Sequence, residues 1–588
     1  MALMPRSGNE ARRAMGSRRF AIVSIFAFSC LINILMLTGP IYMLQVYDRV
    51  MTSASVPTLI ALSIIVLVLY AYYGLLEALR SRIMVRLGRA FEESIRNRVF
   101  DVVATASLKK LPMAAGSQPL QDMSTIRGFL SGTGPTAFLD MPWVIIYMGV
   151  AYILHPWLGF SGVAAAIAIL IVAIMTEASS RKPITDAAIA SAKANAMTDE
   201  ARRGSEAMFA LGMKGIMRNR WARVQQEAMD SSTRANDVSG GFGSLSRVIR
   251  LAVQSGILGL GAYLAINQQI TPGAIIAGSI IISRGLSPIE TAVANWQQFL
   301  AARKALGRLD AALAAIPPDP EPMKLPPPKG LLEVENLIVF APGSDKAVLQ
   351  GLTFTVHPGE ALGVIGPTGA GKSTLARVLV GIIDPQRGSV RLDGATHDQR
   401  NPDELGRAMG YLPQDVQIFD GTVAQNISRF AETPDPVKIV EAAKMANIHE
   451  LIMKLPNGYD TQLGENGSRL SMGQRQRLAL SRALFGDPAI LVMDEPNSAL
   501  DAEGEAALDR AIRATLTRGA SVVIVAHRPS ALQAVHDILV LNDGKQAAYG
   551  KRDEILKRVT QPQRQQQRGE GGMQTTAMIT PPVPETRN

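Results

Sequence analysis

The chain has 588 residues, 47% of them hydrophobic, and a formal net charge of +10. That length exceeds what one hydrophobic core supports, so at least two domains are expected, and the apolar share points to membrane spans. Cys30 is the sole cysteine and lies in an apolar run, which excludes an intramolecular disulfide, a cysteine metal cluster and a cysteine peptidase.

In chain order, residues 1–15 read as a short N-terminal tail. The apolar run Phe20–Leu44 is too long for a signal peptide and lacks a small-residue cleavage site after a short core. Together with Val56–Leu76 it is long enough to cross about 30 Å of hydrocarbon as a helix. Thr136–Leu154, Trp157–Met175, Leu251–Ile266 and Ala274–Ser283 are four further candidates. The third span is weakened by Asp140, and the sixth runs into Arg284 after a short apolar stretch. Charge supplies the topology. Arg6, Arg12, Arg13, Arg18 and Arg19 precede the first span, and basic segments follow the second and the fourth, whereas the turns at 155–157 and 267–271 carry no Lys or Arg. Basic segments alternating with neutral ones obey the positive-inside rule. The expectation is six spans over residues 16–315, among membrane lipids, with both termini cytoplasmic. The same alternation accounts for the high pI and argues against a nucleic-acid partner. The long inner segments, rich in helix formers, are expected to extend the spans into the cytoplasm, with turns near 118–130 and 197–213.

The proline-dense stretch 316–330 reads as a linker. Over 331–560, strand-like runs such as "ALGVIG", "AILVMD" and "SVVIVAH" alternate with helical stretches, which predicts an α/β domain with a largely parallel sheet. Residues 561–588 are polar and Gln/Pro-rich, the composition of a disordered tail.

Within that domain "GPTGAGKST" runs through Gly366, Pro367, Thr368, Gly369, Ala370, Gly371, Lys372, Ser373 and Thr374, and fits G-x-x-x-x-G-K-[ST] between a strand and a helix. Glycines there let backbone N–H groups converge on phosphate, and the helix start adds partial positive charge. Lys372 would reach the β- and γ-phosphates of a nucleotide, and the Ser373 hydroxyl would ligate Mg²⁺. "AILVMDEP" ends a buried strand at Asp494, placed to hold Mg²⁺, with Glu495 beside it to orient and deprotonate water. Taken alone, that pair is equally a solvated acidic turn. His527 closes another apolar strand; a histidine there is commonly structural, although such strands deliver their ends to a ligand. Gln414, in "YLPQD", reads as a surface turn residue on its own.

Taken in order, these segments resemble the ATP-binding cassette family over nearly the whole chain. Gln414 matches the Q-loop and a metal-ligand position. "LSMGQ", with Ser471, Met472, Gly473 and Gln474, matches the signature; "SALD" with Asp501 matches the D-loop; His527 matches the switch histidine; and 461–467 looks like the X-loop. The resemblance implies that Glu495 and His527 are catalytic and that the signature acts in trans, on the ATP of a second cassette. One phosphate loop and one signature per chain then call for an isologous homodimer. Two departures stand out: Met472 replaces the family's usual glycine, and Ala341 stands where an adenine-stacking aromatic is common, with Phe340 one position earlier.

Residues 39–62 and "DEPNSALD" resemble the type I protein-secretion exporters, especially the protease-secreting branch. The start of the chain about twenty residues before its first span fits the branch without an N-terminal peptidase domain. The resemblance implies a periplasmic adaptor, an outer-membrane channel and a secreted, unfolded polypeptide with a C-terminal signal. A lipid, drug or peptide exporter is the rival reading, followed by a membrane-anchored ATPase that moves no solute.

Overall fold

The computed structural model describes residues 10–16, 19–109, 118–318, 325–341, 346–464, 467, 469–526 and 532–560. The chain divides into two compact units, Met1–Pro317 and Pro318–Asn588.

The first unit is helical. Among the described residues, five of its helices are long and apolar enough to cross a membrane, and the bent pair Gly134–Asp140 and Pro142–Leu154 makes a sixth span when counted as one. Three helices far outrun the bilayer: Val56–Lys109, Pro156–Arg203 and Lys214–Ile266 have 54, 48 and 53 residues. At 1.5 Å per residue each extends roughly 70–80 Å, against about 30 Å of hydrocarbon. The sixth span runs Pro272–Ala294, eleven residues beyond the apolar stretch that marked it in the sequence. Arg284 lies within it, because Ile281, Ile282, Leu286 and Ile289 continue the buried face on either side. The expected turn at 118–130 is instead the helix Gln118–Ser131. Its buried Pro119, Asp122, Met123, Ile126 and Leu130 recur at helical spacing and pack on Val56–Lys109 and on the helix Trp296–Ala315. Residues 110–117, ahead of it, lie outside the described residues. Near 197–213 the reversal is present as the short helix Ser205–Ala210 between two long ones.

The bend in the third span has a chemical cause. Pro142 and Trp143 open the second half, and the bend of 43° falls at Met141, directly after Asp140. The Asp140 carboxylate accepts from Arg80 Nη1 at 3.0 Å and from Asn33 Nδ2 at 2.8 Å. Arg80 also donates to Glu77 at 2.7 Å and to Ser29 Oγ at 3.1 Å, and the Tyr147 hydroxyl donates to Asn33 O at 2.8 Å. The charge that weakened this span in the sequence is therefore paired inside the bundle, the arrangement hydrocarbon demands. A second carboxylate, Asp48, joins the first span to the sixth. It accepts from Thr271 Oγ1 at 2.6 Å and from Gly273 N–H at 2.9 Å, at the start of the helix Pro272–Ala294, where an anion is favoured.

The second unit is built on a ten-stranded sheet: β1 (Leu332–Phe340), β2 (Ala347–Val356), β3 (Ala361–Ile365), β4 (Arg387–Leu392), β5 (Ala395–Thr396), β6 (Met409–Leu412), β7 (Ile490–Asp494), β8 (Ser521–Val525), β9 (Asp537–Asn542) and β10 (Lys545–Lys551). The spatial order is β5-β4-β1-β2-β10-β9-β3-β8-β7-β6. β9, β3, β8, β7 and β6 form a parallel core, and β10 meets β2 in parallel at Lys545 and Gln350; β1 pairs antiparallel with β2 and β4, as do β4 with β5 and β9 with β10. The sheet is thus more mixed than its strand-helix alternation implies. The connections β4–β5 and β9–β10 are two-residue turns, Asp393–Gly394 and Asp543–Gly544, too short for the crossover a parallel pair requires. In the parallel core, β3, β7 and β8 are almost wholly buried and deliver their carboxyl ends to one edge, where the candidate site lies.

Candidate functional site

The phosphate loop links β3 to the helix Lys372–Leu379. Two of its glycines are required by close approach. A Cβ on Gly366 would strike the Leu541 carbonyl, and one on Gly371, at φ +96°, would lie 2.7 Å from Leu349 and 3.0 Å from the Val348 carbonyl. Gly369, at φ +82°, has open space around it and sits with Pro367 and Thr368 on the exposed rim, while Ala370 is buried beneath. Gly371 caps the helix without a side-chain acceptor, so the first N–H groups, those of Ser373 and Thr374 among them, are left to an anion. Lys372 is buried and folds back to donate to Gly366 O and Pro367 O, each at 2.9 Å. Burial pulls its ammonium below the ordinary lysine range, opposed by Glu495 and Asp494 nearby. Phosphate oxygens are better partners for that cation than the loop's own carbonyls.

Asp494 ends β7, 2% exposed, and burial raises its carboxyl above the usual range. The neighbouring Ser373 hydroxyl opposes that rise, and Asp494 Oδ1 is buried without a hydrogen-bond partner among the described residues. A hydroxyl and an orphaned carboxylate oxygen beside a phosphate-binding helix start fit a magnesium ion, which takes oxygen ligands shared with phosphate. Gln414, the third expected ligand, is exposed two residues beyond β6, the parallel neighbour of β7. It lines a cavity of about 240 Å³ with Met472, Arg475 and Ser498. Glu495 follows Asp494 in a left-handed conformation at φ +52°, held by its N–H to Val525 O at 2.9 Å. His527 lies outside the described residues, one position after Ala526, whose N–H donates to Val364 O at 3.1 Å.

The signature opens the helix Met472–Leu484 through a capping box. Ser471 Oγ accepts from Gln474 N–H at 3.3 Å, and Gln474 Oε1 accepts from Ser471 N–H at 2.9 Å. The serine O–H proton remains available to donate to an anion. Met472 is 67% exposed, so the departure from glycine adds an apolar side chain at the surface of the helix start and displaces nothing beneath it. Gly473 is constrained: a Cβ there would stand 2.9 Å from the Ala499 carbonyl. Asp501 caps the helix Ala502–Thr517 through Gly504 N–H at 2.8 Å and accepts from Arg477 at 2.6 Å, contacts that hold its carboxyl below the ordinary range. Phe340 ends β1, 37% exposed.

The structure thus gathers Gly366–Thr374, Asp494 and Glu495 at one sheet edge, and ties the signature helix to the segment 495–501. Sequence reasoning passed over Gln476, which makes that second tie. The one signal in the sequence is its place on a helix face otherwise occupied by Gly473, Ala479, Leu480 and Ala483, which marks it as buried and leaves its partner unnamed.

Residues 349–498 match the family described as ABC transporter, and residues 22–286 match the ABC transporter transmembrane region. The chain belongs to the ABC transporter family: it is an integral membrane protein with an ATP-binding, ATP-hydrolysing domain. Among its relatives it is 44% identical to the type I secretion system ATP-binding protein PrsD of Rhizobium meliloti, over 94% of each chain. It is 27% identical to the cyclolysin secretion/processing ATP-binding protein CyaB of Bordetella pertussis, over 92% of this chain and 77% of that one. In fold it is similar to a bacterial Atm1-family ABC exporter with ATP bound, at a TM-score of 0.77 and 22% identity, over 92% of this chain and 96% of that one.

Proposed function

We propose that this protein is the inner-membrane transporter of a type I secretion system, using ATP to export an unfolded polypeptide that carries a C-terminal signal. The observation that carries this reading is the 44% identity to PrsD, which covers 94% of each chain and so runs through both units. The transporter is a homodimer with twelve spans, its termini cytoplasmic, working with a periplasmic adaptor and an outer-membrane channel. The division is a membrane unit over 16–315, a linker at 316–330, a cassette over 331–560 and a tail at 561–588.

ATP is sandwiched between two cassettes. The loop Gly366–Thr374 of one protomer grips the phosphates, with Lys372 exchanging its loop carbonyls for phosphate oxygens. Ser471, Gly473 and the following helix start of the partner close on the γ-phosphate from the opposite side. Ser373, Gln414 and Asp494 would hold magnesium, which screens the charge that builds on the phosphates. Glu495 takes the proton of the attacking water, and His527 supports the γ-phosphate. Because the closed pair binds ATP far better than the open one, nucleotide shifts the population to the closed state and hydrolysis releases it.

Deleting the gene tests the assignment. Loss of one extracellular polypeptide, restored by the wild-type gene and not by a Lys372→Ala copy, is expected. An unchanged set of secreted proteins together with altered lipids or drug tolerance would overturn it in favour of a lipid or drug exporter.

A further inference from the structure

Gln476 is a buried polar side chain two residues beyond the signature segment 470–474; it is 6% exposed, one turn into the signature helix. Its amide spans the segment that follows the buried Asp494. Nε2 donates to Pro496 O at 2.6 Å, with Glu495 O and Ser498 Oγ each at 3.4 Å. Oε1 accepts from Ala499 N–H at 3.0 Å. One side chain therefore meets both ends of the loop 495–499, donating at one and accepting at the other, an arrangement that only a carboxamide satisfies in full. The loop needs such a hold. Glu495 sits at φ +52°, a conformation that costs a non-glycine residue free energy and persists only where its surroundings fix it. The helix start also presses directly on the loop, since Gly473 leaves no room for a methyl group beside the Ala499 carbonyl.

We propose that Gln476 is a positioning residue for ATP hydrolysis, fixing the Glu495–Ala499 loop to the helix whose start binds the nucleotide of the partner site. The inference rests on the proposed roles of Ser471 and Glu495. It adds a route between the two sites of the dimer: the helix start that closes on one ATP sets, through the Gln476 amide, the backbone that aims the base at the other. Gln476 touches no reacting atom. Its loss is expected to leave nucleotide binding in place and to misdirect the base.

The test uses the full-length protein in lipid nanodiscs, with steady-state ATP hydrolysis as the readout. Gln476→Met keeps the volume and removes every hydrogen bond. Gln476→Glu keeps the acceptor for Ala499 N–H and turns an acceptor-only oxygen toward the carbonyls of Glu495 and Pro496. With each of the two short bonds counting for about fivefold, Gln476→Met is expected to lower kcat about 10- to 30-fold, with KM for ATP within about twofold of wild type. Gln476→Glu is expected to fall below Gln476→Met, because charge against carbonyl oxygen is worse than no bond. A residue that only filled space would leave both variants near the wild-type kcat, and that result overturns the proposal, as does a loss confined to KM. If Gln476→Met does not fold, the kcat and KM of Gln476→Glu decide alone on the same criteria. Glu495→Gln is run alongside: unimpaired hydrolysis in that variant would overturn the proposed base itself, a failure distinct from that of Gln476.

Discussion

Replacing Asp140 by leucine tests whether the charge in the third span is a structural tie between helices. Asp140 and Arg80 have side chains 16% and 8% exposed, with the pair at 3.0 Å. Removing the carboxylate strips Arg80 of one of two acidic partners and Asn33 of a 2.8 Å acceptor. Breaking a buried pair from one side costs about 3–5 kcal/mol. Glu77 remains on the guanidinium at 2.7 Å, although its own side chain is 42% exposed. That residual pair brings the expected loss down to about 2–3 kcal/mol, or about 4–10 °C in midpoint for a unit of this size. Thermal unfolding of the purified protein in detergent, at one fixed scan rate, measures it. The double variant Arg80→Met/Asp140→Leu should regain part of the loss, because the buried guanidinium is gone and the one charge left without its partner, Glu77, has a side chain 42% exposed. Asp140→Leu melting with the wild type, or the double variant melting no higher than Asp140→Leu, would refute the pairing as a source of stability.

Three further outcomes follow from the cassette. Glu495→Gln should bind ATP with near wild-type affinity and turn it over at least 100-fold more slowly, as loss of a general base implies; equilibrium binding and phosphate release measure the two separately. Asp494→Asn should raise the melting temperature of the nucleotide-free protein at neutral pH while removing the further rise that Mg-ATP gives the wild type. The sign follows from burial: a carboxyl whose folded pKa stands above its unfolded value of 3.8 destabilises the fold at any pH above that range, and the penalty fades as pH falls through it. A nucleotide-free Asp494→Asn protein melting below the wild type would contradict this. Gly473→Ala should cut ATP hydrolysis by about 10-fold or more, since a 2.9 Å contact with the Ala499 carbonyl forces the loop or the helix start to move, at roughly 1–2 kcal/mol of strain. Wild-type turnover in that variant would show that the loop yields freely.

Much of the molecule was legible from residue order. The phosphate loop, the acidic strand end and the signature are local: each is a strand end or a helix start whose groups lie within a few residues of one another, so spacing alone fixes which groups converge. The spans were legible because hydrocarbon tolerates only long apolar helices, and their alternation with basic segments followed. Tertiary structure decided whatever depends on partners distant in sequence. The Asp140 carboxylate looks like a defect in a span until Arg80 and Asn33, 60 and 107 residues away, are seen to meet it. Residues 118–130 looked like a turn because their buried face is complete only against the helix Trp296–Ala315. Gln476 reads as one more polar residue in a basic helix until the loop 495–499 folds across it. Short-range spacing names the groups that do chemistry; long-range packing determines what holds them in position, because a hydrogen bond in a buried site depends on both partners and the sequence shows them only one at a time.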